Sequence, residues 1–396
     1  IAPAIAEMEF YESIDSLGVY GTVTFVDTQK IMEIIDFQGT ELLSLSIAID
    51  TNAQPLRRQF RIVNIMSGQK TSDQTEVFIL SLVDNDSYVN TSIKLARSFI
   101  GKPSDIIQTI LNDNFLSRKK LIYNPQRVEI QEAIKYIAPH LNPFDVITLM
   151  SNRATGPSGT PYYCWGVFAD DHLRYSDLHD LLSFPALFEN QPVKYNSRFT
   201  QENILNPDQQ ALHISHIQYD DQENALQMIE DGNVGATYDY LDTSGGYTNS
   251  IFFDIKTMIA NTFASTPGLS NRAYPNFDTS ALIGGVPIHQ ANAKQFSSVA
   301  STYVYNDYPS YSEDQTSNYH RAKFTQKALR ELLRKSTIKI TVPGRRFFPI
   351  PKSSGAMRPY EGGNSIIRTD EAYNMTVGNK LMISIADNDP DGDQSG

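Results

Sequence analysis

The stretch LHISHIQYDD places His213 and His216 beside Asp220 and Asp221. Imidazole and carboxylate together form a common donor set for a divalent metal. The spacing argues against that use. In a strand, residues three apart face opposite sides, so the two imidazoles cannot easily share an ion, and surface or interface histidines are the preferred reading. His172 and His179 stand among Asp170, Asp171, Asp177 and Asp180. A hydrolytic site can be drawn there, but acidic turns and helix caps account for the same residues. Cys164, next to Trp165, lies in an apolar run and is expected to be a buried, inert thiol. Asp387, Asp389 and Asp391-Gly392 repeat the front half of a DxDxDG calcium loop. Pro390 interrupts it and no glutamate stands at its twelfth position before Gly396, so a solvated acidic tail is expected.

Other reactive patterns are missing from the sequence. It has no phosphate-binding GxxxxGK, no HExxH, no GxSxG and no CxxC pair. Carboxylates for glycoside hydrolysis can converge from distant positions, but nothing specific points to them. The expectation is therefore a chain with no catalytic residue, no cofactor and no metal, and hence not an enzyme.

Charge points instead to contact between macromolecules. The chain of 396 residues has a net charge of −12, which makes it a poor general binder of nucleic acid or anionic membrane. Positive charge is concentrated in one block: Arg321, Lys323, Lys327, Arg330, Arg334, Lys335, Lys339, Arg345 and Arg346, against the single acid Glu331. On a helix, Lys323, Lys327, Arg330 and Arg334 form one stripe, with Phe324, Ala328 and Leu332 on a neighbouring apolar stripe. These four basic residues are the candidate interface, expected to face outward and to dock on an acidic surface of a partner protein. A solvated helix face is the plainer reading, and DNA contact the lesser one.

The elements that would position such a surface follow from periodicity. Tyr20 to Val26 is a strand candidate. Glu41 to Asp50 alternates Leu43, Leu45, Ile47 and Ile49 with Ser44, Ser46, Ala48 and Asp50, which marks a half-buried strand. Phe60 to Met66 and Val77 to Val83 continue a small barrel or sandwich over residues 1–97. Asp84 to Ser87 reads as a turn. Then architecture changes. Ser104 is expected to cap a helix whose apolar face is Ile106, Ile107, Ile110 and Leu111. Asn142 and Pro143 open a second helix, with Phe144, Ile147 and Met150 as its stripe. YYCWGVF (162–168) reads as a buried strand, Ser176 to Leu182 as a short helix and Leu212 to Tyr219 as a strand. Residues 236–320 look irregular. Strands return with Ile338, Ile340 and Val342, and with Leu381, Ile383 and Ile385.

Composition fits this plan. At about 150 residues per domain, the length suggests two to three domains. Charged residues make up 20%, and Tyr 21 with Phe 20 outnumber Trp 1. Such a surface suits a protein that hides area against other subunits, although β-rich monomers share it. One cysteine excludes an internal disulfide and suggests assembly in a reducing compartment. No apolar run approaches the ~20 residues of a membrane span. The opening IAPAIAEMEF carries acid where a signal peptide carries basic residues. Starting at Ile1 without Met, the chain is also expected to lack its true N-terminus.

Several segments in order resemble one family: FVDTQKIMEIIDFQGTELLSLSI (25–47), FILSLVDNDSYVNTSIKLARSFIGKPSDIIQTIL (78–111), APHLNPFDVITLMSNRA (138–154), YCWGVF (163–168), EDGNVGATYDYLDTSGGYTNSIFFD (230–254) and ITVPG (340–344). The chain is similar to the central baseplate hub proteins of T4-like contractile-tailed bacteriophages, a family related to the late-control proteins and to type VI secretion spike bases. Residues 255–320 and 345–380 show nothing family-like. The resemblance implies an α+β, β-rich fold with two tube-like antiparallel β-barrel modules and a mixed α/β module between them. The first barrel would occupy 1–97, the mixed module 98–200, the second barrel 201–235 with 320–396, and a Tyr/Ser/Gly-rich insertion 236–319. It further implies a homotrimeric ring that meets a sixfold tail tube on one face and a threefold central spike on the other. Its partners would be itself, the spike, the tube and other baseplate proteins. It would sit in the virion tail after assembly in the host cytoplasm. No catalytic residues carry over. A carbohydrate-active or sugar-binding tail protein and a type VI-like spike base are the alternatives.

Overall fold

The computed structural model describes residues 5–28, 30, 38–47, 55–72, 75–112, 121–123, 129, 134–156, 159–168, 172–183, 193–195, 213–221, 235–242, 247–254, 282–283, 286–287, 294–300, 326, 329–330, 333, 336–342, 377–378 and 381–385. The fold is α+β and β-rich. The chain divides into two compact units. The first comprises Ile1–Ala154, Tyr162–Asp177 and Pro349–Arg368, and the second Thr155–Pro161, Leu178–Phe348 and Thr369–Gly396.

The first unit begins with β1 (Ile5–Tyr11), β2 (Tyr20–Asp27), β3 (Leu42–Ile47), β4 (Leu56–Ser72) and β5 (Thr75–Asp84). They form one antiparallel sheet in the order β1-β2-β5-β4-β3. The period-two pattern does what it should: Val23, Phe25, Leu45, Phe60, Ile62, Leu80 and Leu82 are buried on one face, while Ser44 and Ser46 are exposed on the other. Each such side chain contributes about 1.5–3 kcal/mol by leaving water. Register shifts along β4 and β5 between Ile62 and Asn64, and between Ile65 and Ser67, bend the sheet as bulges do. Phe10 of β1 lies over Gly21 of β2, where a Cβ would stand 2.6 Å from the ring. The phenyl groups of Phe10, Phe60 and Phe168 then cluster, with centroids 4.5 to 6.0 Å apart.

Asp84 to Ser87 is not a simple turn. It opens α1 (Asn85–Thr91), with Asp84 Oδ1 accepting the Ser87 N–H at 2.7 Å. The Asx side chain that favours a turn caps a helix equally well. Beyond it come β6 (Ser98–Gly101), α2 (Pro103–Asn112), β7 (Leu121–Tyr123), β8 (Ile134–Ile137), α3 (Pro143–Arg153), β9 (Tyr162–Gly166) and β10 (Leu173–Asp177). β10 lies between parallel β7 and antiparallel β9. The core joins the expected helical stripes, Ile106, Ile107, Ile110 and Leu111 of α2 with Phe144, Ile147 and Met150 of α3, to Tyr162, Cys164, Leu173 and Tyr175 of the sheet.

The second unit opens its helix, α4 (Leu178–Ser183), two residues later than expected, because Ser176 and Asp177 still belong to β10. β11 (Val193–Tyr195) runs parallel to a late strand, Ile383–Ile385, while β12 (His216–Asp221) pairs antiparallel with Ser336–Thr341. Val193 and Ile214 are fully buried there, and Ile217, Ile340, Val342, Leu381 and Ile383 pack around them. The stretch read as irregular contains β13 (Gly235–Asp242), β14 (Tyr247–Asp254), a short hairpin of β15 (Leu282–Ile283) and β16 (Val286–Pro287), and β17 (Lys294–Ala300). β13 pairs antiparallel with β14 and parallel with β17. Tyr, Thr and Phe supply the strand preference, and the interspersed Asp, Asn and Gly hid it. Ser336–Thr341 is β18 and Ile383–Ile385 is β19.

Candidate interface and a buried carboxylate

The residues with chemical potential are scattered. His216 is exposed at the start of β12, and His213 is half-buried, bridged through its backbone to Lys194. His172 belongs to the first unit and His179 to the second; the His179 imidazole stands 3.3 Å from Ser183 Oγ. Asp177 and Asp180 are buried. Among the described residues, no group of three or more His, Cys, Asp or Glu is arranged to hold a metal ion. Cys164 is a buried free thiol. Asp170, Asp171 and the acidic tail Asp387 to Asp391 lie outside the described residues.

Of the basic stripe, Lys323, Lys327 and Arg334 lie outside the described residues and Arg330 lies within them. Gln326, Leu329, Arg330 and Leu333 are helical, and their spacing puts them on one face. Gln326, Leu329 and Arg330 are buried, Arg330 being only 8% exposed. Arg330 therefore departs from the outward position expected of it. Phe324, Ala328 and Leu332 of the expected apolar stripe lie outside the described residues, and Leu329 is fully buried.

A buried carboxylate that the sequence reading did not single out organises the first unit. Glu129 accepts the Tyr175 hydroxyl at 2.6 Å, the Ser104 N–H at 3.0 Å and the Ser104 hydroxyl at 3.2 Å. Burial, and then the neighbouring Glu129 charge, hold the Tyr175 phenol well above its usual pKa. Ser104 is thus not the N-cap of α2. The helix starts one residue earlier, at Pro103, and Asp105 accepts the Lys102 N–H at 3.2 Å. Asn142 does occupy the N-cap of α3, but its side chain makes no capping bond. Asn90 reaches across instead and accepts the Phe144 N–H at 2.8 Å. Both helix starts, which expose unpaired N–H groups, are satisfied by side chains distant in sequence.

The outer face of the five-stranded sheet presents exposed side chains in defined register. One row crosses it: Tyr11 opposite Tyr20, Tyr20 opposite Val83, Val83 opposite Arg61, and Arg61 opposite Leu42. Tyr11 is 54% exposed, Tyr20 44% and Leu42 47%. Arg61 is fixed by Asn85 Oδ1 at 3.1 Å, by the Thr40 carbonyl and by the Tyr88 ring, whose centroid is 5.4 Å away. The Tyr11 hydroxyl donates to Glu9; that bond, with desolvation and the charges of Glu9 and Glu7, raises the Tyr11 pKa. Among the described helices none is long and apolar enough to cross a membrane.

No family model and no curated protein matches the sequence. Solved structures do resemble the fold. A tail protein from Neisseria meningitidis is 14% identical, with 85% of this chain and 76% of that one covered and a TM-score of 0.44. The 43 kDa tail protein of prophage MuSo2 from Shewanella oneidensis is 8% identical, with 86% and 78% covered and a TM-score of 0.43. An E. coli component of the type VI secretion system is 10% identical, with 48% and 53% covered and a TM-score of 0.31. At such identities and TM-scores, these likenesses carry no functional argument.

Proposed function

We propose that the chain is a structural baseplate hub of a contractile phage tail. In this reading it forms a trimeric ring that adapts a sixfold tail tube to a threefold central spike. The observation that carries it is the first sheet. The segments that resemble hub proteins, 25–47 and 78–111, include all of β3 and most of β5, together with α1, β6 and most of α2. They meet in one bent antiparallel sheet joined to a mixed α/β core. β18 pairs with β12 and β19 with β11, and side chains from these strands meet in a second small core, in keeping with a second tube-like module. Three chains with two such modules each would offer six modules to a sixfold tube. The role is structural rather than catalytic. Its partners are other copies of itself, the spike and the tube, and the virion tail is its location. The basic stripe Lys323, Lys327 and Arg334 is proposed as a docking surface. Light scattering of the purified chain, alone and with spike and tube proteins, tests this reading.

A further inference from the structure

Two strands that pair on one side only among the described residues carry opposite charge. β1 is an edge strand: among the described residues it pairs with β2 alone. Residues 1–29 contain the acids Glu7, Glu9, Glu12, Asp15 and Asp27 and no Lys or Arg. Glu7 and Glu9 are exposed on the outer face of β1, in the row positions next to Tyr11. Glu9 is bonded to the Tyr11 hydroxyl, and among the described residues neither acid has a basic partner. The other end of the same sheet differs: β3, LLSLSI, carries no charge.

The second edge lies in the basic block. Among the described residues β18 is bonded along one side only, to β12. Thr337, Ile338 and Lys339 on it are exposed, Ile338 to 50%.

We propose that the β1 edge of one copy docks the basic segment 321–346 of a second copy. The β1 edge that carries no partner strand among the described residues, with the exposed Tyr11 and Tyr20, supplies hydrogen bonding and contact area, and charge fixes partner and register. The acidic edge and the basic segment are different patches, and under the hub reading each copy passes its basic segment to the next, a heterologous contact. Heterologous contacts generate rings where the rotation closes and open filaments where it does not. The inference deepens the hub reading and rests on its requirement that copies meet.

Charge reversal and its rescue test it. Glu7→Lys with Glu9→Lys should weaken self-association roughly a hundredfold, since like charges are then juxtaposed across the contact. Lys327→Glu with Lys339→Glu should do the same, and the combination of all four should restore the wild-type mass. Circular dichroism checks that each variant is folded, and Glu7→Gln with Glu9→Gln supplies a gentler variant with a smaller loss. If wild type associates and the β1 variants associate equally well, the docking inference fails, the acids only guard an edge against pairing, and the hub reading stands. Loss without rescue in the combined variant rejects 321–346 as the occupant. A wild type that never associates, alone or with spike and tube, overturns both.

Discussion

The Tyr175 hydroxyl on β10 lies 2.6 Å from the Glu129 carboxylate, which also accepts both polar hydrogens of Ser104 at the start of α2. One side chain thus ties a helix start to a sheet. Hydrogen bonds to a charged group are stronger than neutral ones, and a buried donor left without its acceptor costs its desolvation. Glu129→Ala is expected to lower stability by about 2–4 kcal/mol, the scale for broken buried polar networks. Ser104→Ala removes only the longest bond and should cost about 1 kcal/mol. Denaturant unfolding measures both; equal losses would mean that Glu129 does not hold the three donors together.

Tyr175 gives the same network a pH signature. Its folded pKa is raised by burial first and by the Glu129 charge second, while the unfolded phenol titrates near the ordinary ~10. Above that pH the unfolded state loses a proton that the folded state keeps. Stability is therefore fully present below about pH 10 and falls as pH climbs toward the folded pKa. Tyr175→Phe should flatten that part of the curve. Unfolding free energy measured from pH 8 to 11 in both proteins checks it, and parallel curves would refute it.

Gly21 is expected to tolerate no side chain. A Cβ there would stand 2.6 Å from the Phe10 ring and 2.7 Å from the Glu9 carbonyl oxygen. Gly21→Ala should cost about 1–3 kcal/mol by overpacking, read as a lowered melting temperature. An unchanged melt would mean that β1 shifts away at no cost.

These cases separate what local pattern can show from what it cannot. Leu43, Leu45 and Ile47 announced their strand because alternation is local. The stripes of α2 and α3 were legible for the same reason. The caps were not. Asn142 has the right type and position for an N-cap and Ser104 only the right type, because its helix already begins at Pro103; both helix starts are satisfied by Glu129 and Asn90, whose bonds span 25 and 54 residues. A lone Glu in the polar run NPQRVEI gives no sign of burial. Arg330 fails differently. A basic residue at helical spacing reads as solvated, and the burial of Arg330 beside Leu329 is a tertiary fact. The acidic bias of residues 1–29 was visible in the sequence; that Glu7 and Glu9 lie on an open edge was not.

The basic stripe makes a separate prediction. Lys327→Glu with Arg334→Glu should block assembly with partners while leaving the isolated chain folded. Co-sedimentation with tube and spike proteins at ~0.15 M salt, where screening acts over about 8 Å, reads the outcome. Normal assembly of the double variant would reduce the stripe to a solvated surface.

The hub reading meets its most direct test in the mass and symmetry of the particle that the chain forms. Light scattering at micromolar concentration, followed by imaging with spike and tube proteins added, should give a closed threefold ring bound to both. A chain that stays monomeric and joins neither partner would contradict the reading.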